Sequence, residues 1–303
     1  MKILLTGATG YLGQSLRPVL RESGHALVVL ARDPSRTAAL VPGARIFEWD
    51  GVVGLPPAEA FEGVDAVINL IGESVAKRWT AERKRRFRDS RILPTRALIE
   101  RMAGLPVRPR VLVSMTGVGI YGDRADEVLT EKAAPGQGFL AGLSQEWEAA
   151  ALGARELGVR VVVFRSGAVL GPGGGVLGKL LPLFRLGLGG RLGSGRQYFP
   201  WIHLDDVARL FVHALATESL EGPVNVVAPE PATNAEFTTA LGQALHRPVL
   251  LTVPALALRL ALGEMADEML LVSQRVSPIR ILESGFDFRY PLLGPALRAS
   301  VGA

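Results

Sequence analysis

The chain has 303 residues, is 48% hydrophobic and carries a formal net charge of +5. That is enough apolar material for a sizeable core in one large domain or one and a half. Cysteine is absent and the four histidines (His25, His203, His213, His246) are scattered, which excludes a disulfide framework, thiolate chemistry and a zinc motif, so no metal site is expected.

The start, "MKILLTGATG", reads as a first strand and not as a signal peptide. The apolar stretch "VLLTVPALAL" (249–258) holds Pro254, stops at Arg259 and falls short of the roughly 18 apolar residues of a membrane span. The expectation is a cytoplasmic protein with no membrane partner. The strand "KILLTG" (2–7) runs directly into "TGATGYLG". Gly7 permits a tight turn, Gly10 lets a pyrophosphate approach the backbone, and Gly13 lets the helix pack on the strand. At the opening of a βαβ unit this spacing points to dinucleotide binding, with the phosphates at the helix N-terminus. The helix over 11–23 contains Pro18, where a kink is expected. The second strand, "ALVVLA" (26–31), ends at Ala31 and is followed by Arg32 and Asp33. An acid at this point holds the ribose of NAD, whereas an arginine suits the 2′-phosphate of NADP. Arg32, with Arg36 as a second contact, is the preferred reading, and it favours NADP (NADPH) over NAD. Asp33 is the rival, since an acid one position along could still reach the ribose.

Four further strand candidates follow: "ARIFEW" (44–49), "DAVINL" (65–70), "RVLVSM" (110–115) and "RVVVFR" (160–165). They are continuous Val/Ile/Leu runs, the pattern of strands buried on both faces of a parallel sheet. Helical stretches at about 80–103 and 139–157 lie between them. The alternation predicts a doubly wound α/β fold. The cluster "RKRRFRDSR" (83–91) reads as a solvated helix face. With no nucleic-acid motif and aromatics at 6%, nucleic acid is not an expected partner. After 170 the texture changes. Residues 171–195 are glycine-rich and read as mobile loop with one short helix, "GPVNVVAP" (222–229) as another strand. From 234 the chain reads as mostly helical, closing on a short β-like "GFDFRY" (285–290).

The GxxGxxG spacing, "NLIGES", "VSMTGVGIYGD" and "WIHLDD" resemble the extended short-chain dehydrogenase/reductase superfamily. The resemblance is closer to its atypical "epimerase family" subgroup, whose C-terminal part is a small helical region. "NLIGESVAKRWTAERKRRFRDSRILPTRALIE" (69–100), "FLAGLSQEWEAAA" (139–151), "FRLGLGGRLGSGRQYFPWIHLDD" (184–206), "NVVAPEPATNAEF" (225–237) and "GEMADEMLLVSQRVSP" (263–278) carry it. The resemblance implies a Rossmann-like NADP-binding domain over 1–170, completed by about 203–228. A smaller, mainly helical substrate-side domain would take 171–202 and 229–303. It implies cofactor contacts at Gly7, Thr9, Gly10, Tyr11, Leu12, Gly13, Ala31 and Arg32, at Leu70, Ile71, Gly72 and Glu73, and at Arg91 and Val169. A homodimer is implied on the same ground. For Arg91 the residues themselves leave a surface ion pair equally open.

In that superfamily a tyrosine moves the proton and a lysine four residues on lowers its pKa. Four residues beyond Tyr11, Tyr121, Tyr198 and Tyr290 lie Ser15, Ala125, Ile202 and Gly294, so the chain holds no Tyr-x-x-x-Lys. The matching pair is Phe139 and Leu143, which with Trp147 make an apolar stripe at i, i+4, i+8. The remaining catalytic candidates are Glu73, expected to be raised in pKa by burial, Thr116 at the orienting Ser/Thr position, and Tyr121, for which a structural role is preferred. Arg78 and Trp79 could hold an anionic or ring-bearing substrate. "GSGRQYFPWIHLDD" is expected to cover the substrate mouth with Gln197, Trp201 and His203, while Asp205 and Asp206 cap the next helix. Two readings result. One is an NADP-dependent epimerase or oxidoreductase acting on a small molecule such as a sugar or sugar nucleotide. The other is an NADP-binding regulator without turnover.

Overall fold

The computed structural model describes residues 1–302. In chain order the elements are β1 (Lys2–Thr6), α1 (Tyr11–Glu22), β2 (Ala26–Ala31), α2 (Pro34–Leu40), β3 (Arg45–Glu48), β4 (Ala66–Asn69), α3 (Ala81–Ala103), β5 (Val111–Gly117), β6 (Val128–Leu129), α4 (Phe139–Leu152) and β7 (Arg160–Ser166). There follow β8 (Ala168–Leu170), α5 (Leu177–Arg185), β9 (Gly190–Leu192), β10 (Trp201–His203), α6 (Leu204–Ala216), β11 (Gly222–Val226), α7 (Asn234–Ala244), β12 (Leu251–Val253), α8 (Ala255–Leu262), β13 (Arg275–Val276), α9 (Ile279–Glu283) and α10 (Leu293–Val301). Two compact units result. The first takes Met1–Thr116, Glu146–Phe164 and Ala208–Val224; the second takes Gly117–Gln145, Arg165–Val207 and Asn225 onward.

The first unit is built on a seven-stranded sheet of order β11-β7-β5-β4-β1-β2-β3. β1 pairs in parallel with both β2 and β4, β2 with β3, and β4 with β5. The strand order therefore reverses between β1 and β4, the doubly wound arrangement that the strand–helix alternation predicts. In such sheets ligands bind beyond the carboxyl ends of the strands at the reversal. Leu4, Val28, Val67, Leu112 and Val163 enter one core cluster with Leu98 and Met102 of α3. Their strand neighbours Ile3, Leu5, Ile68 and Phe164 are equally buried. Period-2 geometry sends those neighbours to the opposite face, which is why the strands read as unbroken apolar runs.

Helix α1 persists through Pro18, which removes one backbone donor but leaves a buried stripe of Leu16 and Leu20 to hold the helix on the sheet. Sequence patterning missed α2. Its start is set by Asp33, whose carboxylate accepts the Arg36 N–H at 2.9 Å, with Pro34 at the first helical position.

In the second unit β8 pairs with β10, β9 with β12 and β6 with β13, all in parallel. A core of Phe184, Trp201, Phe237, Leu241 and Leu297 links α5, β10, α7 and α10. The glycine-rich 171–195 stretch thus contains a strand, β9, as well as α5. The β-like reading of 285–290 is corrected, since no strand forms there. The buried Asp206 carboxylate accepts the backbone N–H groups of Arg289 and Tyr290 at 2.7 and 2.9 Å, donors that a strand would have used in a ladder. Asp205 and Asp206 both lie in the first turn of α6, at its positive end as expected, and the Asp206 contacts also tie the C-terminal segment to α6.

Candidate functional site

The turn between β1 and α1 has the form a dinucleotide needs. Gly7 takes φ +67°, a left-handed conformation that other residues resist, and the Gly10 N–H closes the turn on the Gly7 carbonyl at 2.9 Å. A Cβ on Gly13 would lie 2.3 Å from that same carbonyl, so only glycine lets the helix approach this closely. Gly10 is the N-cap residue of α1 and brings no side-chain acceptor. The first-turn N–H groups, on Tyr11, Leu12 and Gly13, are left for an anion at the positive end of the helix. The Tyr11 hydroxyl is buried without a hydrogen-bond partner, and burial pushes its pKa up to about 12. Thr9 accepts the Gln14 side-chain amide on its carbonyl. An open glycine turn and an orphaned buried hydroxyl beside it fit a bound dinucleotide.

At the end of β2, Ala31 sits in register opposite Glu48, and its carbonyl accepts the Trp49 N–H. Arg32 and Arg36 are both exposed. Asp33 spends its carboxylate on the N-terminus of α2. The nearby Asp50 carboxyl is held below the usual range by the Val53 and Val52 N–H groups, with the Arg32 charge adding to the effect.

The loop after β4 is fastened by buried polar groups. Thr6 Oγ1 donates to Asn69 Oδ1 at 2.8 Å and accepts the Leu70 N–H at 3.0 Å. The Asn69 amide donates in turn to Thr95 Oγ1 at 2.9 Å and to Ser114 Oγ at 3.4 Å. Ile71 N–H turns back to Asn69 Oδ1, and Glu73 N–H donates to Ser90 Oγ at 3.1 Å. Arg91 closes the arrangement. Its guanidinium donates to the Glu73 carbonyl at 2.7 Å and the Phe87 carbonyl at 2.9 Å, lies 5.1 Å from the Trp147 ring centroid, and packs along Gly72. Burial pushes its pKa down to about 10. Arg91 therefore clamps the Leu70–Glu73 backbone, and its hydrogen bonds go to carbonyls and a hydroxyl.

Glu73 is corrected in one respect. Its carboxylate bonds Lys77 Nζ at 2.6 Å and faces Arg86 at 3.4 Å, and the Lys77 bond holds its pKa below the ordinary value. It is an ionised group near solvent and not a raised acid. Trp79 donates its indole N–H to the Val75 carbonyl and lies under Lys84, whereas Arg78 is exposed. Thr116 is buried and donates to the Phe164 carbonyl at 3.3 Å.

In the second unit Tyr121 is fully buried. Its hydroxyl donates to Asn225 Oδ1 at 2.6 Å and accepts from Arg165 Nη1 at 2.9 Å. Burial raises its pKa despite the arginine. Asn225 gives its amide to the Leu129 and Ser277 carbonyls, and its backbone N–H goes to Glu131 Oε1. The tyrosine is thus one post in a buried frame, as the structural reading expects. The residues expected at a substrate mouth are buried as well. Gln197 donates to the Leu192 and Leu270 carbonyls, and Trp201 donates to the Glu230 carbonyl from within the core. His203 Nδ1 accepts the Asp205 N–H at 3.2 Å, and its ring lies 3.9 Å from Tyr290 centroid to centroid. Its Nε2 has no partner, and burial lowers its pKa. Val169 sits in β8 opposite Ile202.

On α4, Leu143 and Trp147 are buried and Phe139 is half-buried, so the stripe is apolar from end to end. The helix start is capped from far along the chain. Glu268 accepts the N–H groups of Phe139 and Leu140 at 2.8 and 2.7 Å. Sequence reasoning missed Glu268, Asn225, Arg165 and the Asn69 network. The last two carry a visible signal, a polar residue inside an apolar strand run ("AVIN", "VVVFR").

Comparison with known proteins places these features in context. The model of the NAD dependent epimerase/dehydratase family matches residues 3–228, and a domain of unknown function, DUF1731, matches 253–300. An epimerase family protein of Mycobacterium bovis, Mb2239, is 42% identical over 97% of this chain and 96% of its own length. The crystal structure of human epimerase family protein SDR39U1 (isoform 2) with NADPH superposes with a TM-score of 0.88 at 36% identity, covering 100% of this chain and 99% of that one. A nucleoside-diphosphate sugar epimerase from Corynebacterium glutamicum superposes at 0.80 with 32% identity, covering 100% of this chain and 58% of that one.

Proposed function

The chain belongs to the NAD dependent epimerase/dehydratase family, and on that premise we propose that it binds NADP(H) on its first unit and uses it in oxidoreductase or epimerase chemistry on a small molecule such as a sugar or sugar nucleotide. The observation that carries this reading is the β1–α1 turn, with its left-handed Gly7, its close Gly13 and its uncapped first helical turn. NADP is favoured over NAD because Asp33, the acid nearest the end of β2, is engaged by the N-terminus of α2, while Arg32 stays exposed. The NADPH in the human relative's structure agrees with this choice. Bound there, the nicotinamide would supply reversible hydride storage. The protein's own part is to receive the phosphates on the turn, to hold the Leu70–Glu73 loop through Arg91, and to offer Arg32 to a 2′-phosphate.

The usual acid is absent, because Phe139 and Leu143 stand where the superfamily's tyrosine and lysine would be. Thr116 and Tyr121 are committed to buried bonds. Glu73 alone among the three candidates keeps a carboxylate near solvent, as a weak base. The same facts favour a second reading, an NADP(H)-binding regulator without turnover. Fluorescence titration with NADPH, followed by turnover assays on sugar nucleotides and small carbonyls, separates the two. Arg32→Ala is expected to weaken NADPH binding by about 10–100-fold, the loss of one charge-assisted contact of about 1.5–3 kcal/mol. Unchanged affinity would remove the case for NADP. Consumption of NADPH by none of the substrates, with tight binding intact, would favour the regulator. If activity is found and Glu73→Gln retains it in full, Glu73 does not move the proton.

A further inference from the structure

Two stretches of the second unit are unusual in what they expose and in what they lack. Residues 177–196 span α5, the loop after it and β9; residues 246–262 span β12 and α8. Neither contains an aspartate or a glutamate, yet between them they carry Lys179, Arg185, Arg191, Arg196, Arg247 and Arg259, all exposed, of which Arg259 is paired with Asp267 at 2.8 Å. The stretches are neighbours in space. β9 and β12 pair with Gly190 opposite Leu251 and Leu192 opposite Val253, and Arg247 Nε donates to the Arg185 carbonyl at 3.0 Å. Leucines project from both. Leu250 is 86% exposed, Leu260 81%, Leu186 73% and Leu256 66%, and Leu183, Leu188 and Leu251 are also exposed. Leu256 and Leu260 lie one turn apart on α8, whose buried residue is Leu258. A single exposed leucine is ordinary. Seven on two stretches joined by strand pairing exceed ordinary scatter, and clustered exposed apolar side chains mark interaction sites.

Charge decides what that face fits. A second copy of the chain would bring one predominantly basic face, with Asp267 as an acid beside Arg259, against another, and like charges across an interface repel. An anionic lipid surface complements both properties at once, since leucines seat at the acyl boundary while arginines reach the phosphates. No helix among the described residues is long and apolar enough to cross a membrane. Binding in the interface plane needs no crossing segment, so the sequence-based expectation of no membrane partner does not bear on it. We propose that the face formed by α5, the β9–β12 pair and α8 docks this protein reversibly on anionic phospholipid surfaces.

The test is co-sedimentation of the full chain with vesicles of phosphatidylglycerol and phosphatidylcholine in equal parts, against pure phosphatidylcholine, at low and high salt. Binding to the mixed vesicles is expected, much weaker binding to the neutral ones, and at least a tenfold drop in high salt, since surface charges are screened. The double variants Leu186→Ser/Leu260→Ser and Arg185→Gln/Arg196→Gln are each expected to lose about tenfold in vesicle affinity. Both should keep the wild-type melting curve and NADPH titration, because the altered side chains are exposed and lie outside the cofactor turn. Failure of the wild type to sediment with mixed vesicles at low salt overturns the proposal. Equal binding to both lipids, or full binding by the leucine variant, does the same. So does a wild-type dimer in light scattering that the leucine variant converts to monomer without vesicle binding, which would give the face to a second copy.

Discussion

Tyr121 shows how partners outweigh position at the scale of a residue. It follows the strand that ends in Thr116, and sequence alone leaves it open as an acid. Its hydroxyl is enclosed by Asn225 and Arg165, and its ring lies 5.3 Å from the Arg165 guanidinium. Removing the hydroxyl leaves a buried amide oxygen and a buried guanidinium short of a partner. Tyr121→Phe is therefore expected to cost about 1–3 kcal/mol of stability, with NADPH affinity unchanged. The midpoint of urea unfolding measures it. A variant as stable as wild type that lost turnover would reverse the assignment. Glu73 teaches the same lesson in the other direction. Its neighbourhood in sequence suggested burial and a raised pKa, but Lys77 four residues on in the same loop and Arg86 on α3 supply charge that lowers it.

Among the elements, α4 depends most on residues distant in sequence. Its apolar stripe is visible as Phe139, Leu143 and Trp147 at four-residue spacing. Its cap is not visible, because Glu268 lies more than a hundred positions along the chain and no local pattern connects the two. A carboxylate that accepts two first-turn N–H groups satisfies orphan donors and complements the helix dipole. Glu268→Ala is expected to destabilise the protein by about 0.5–2 kcal/mol, and Glu268→Gln by less, since one acceptor oxygen remains. Amide hydrogen exchange at Phe139 and Leu140 should quicken in the alanine variant. Unchanged protection there would show that the cap contributes nothing. The segment 285–290 departs from its sequence pattern for a related reason. "GFDFRY" alternates like a strand, yet Asp206 takes two of its backbone donors.

For the whole molecule the testable quantity is linkage between cofactor and folding. A ligand that binds only the folded chain stabilises it by about 2.7 kcal/mol at a hundred times its Kd. NADPH at that excess is expected to raise the melting temperature clearly. NADH at the same concentration should do so much less, and Arg32→Ala should abolish the difference between the two. Equal shifts from both cofactors would point away from a 2′-phosphate contact. The net charge of +5 is also better understood at this scale. Part of the positive charge is the exposed Arg83, Arg85 and Arg86 of α3, and part is the arginine-bearing stretches of the second unit.

The sequence by itself determined the doubly wound sheet, its parallel strands and the glycine turn. Those features are set by local sterics and by burial on both strand faces, and both leave periodic marks in the chain. It also determined that no Tyr-x-x-x-Lys is available. Tertiary structure decided what each polar side chain does: the Arg91 clamp on Leu70–Glu73, the frame around Tyr121, the Glu268 cap, the spent carboxylate of Asp33 and the burial of Gln197, Trp201 and His203. A hydrogen bond or a pKa depends on which groups lie within a few ångströms, and residues far apart in sequence meet only when the chain has folded.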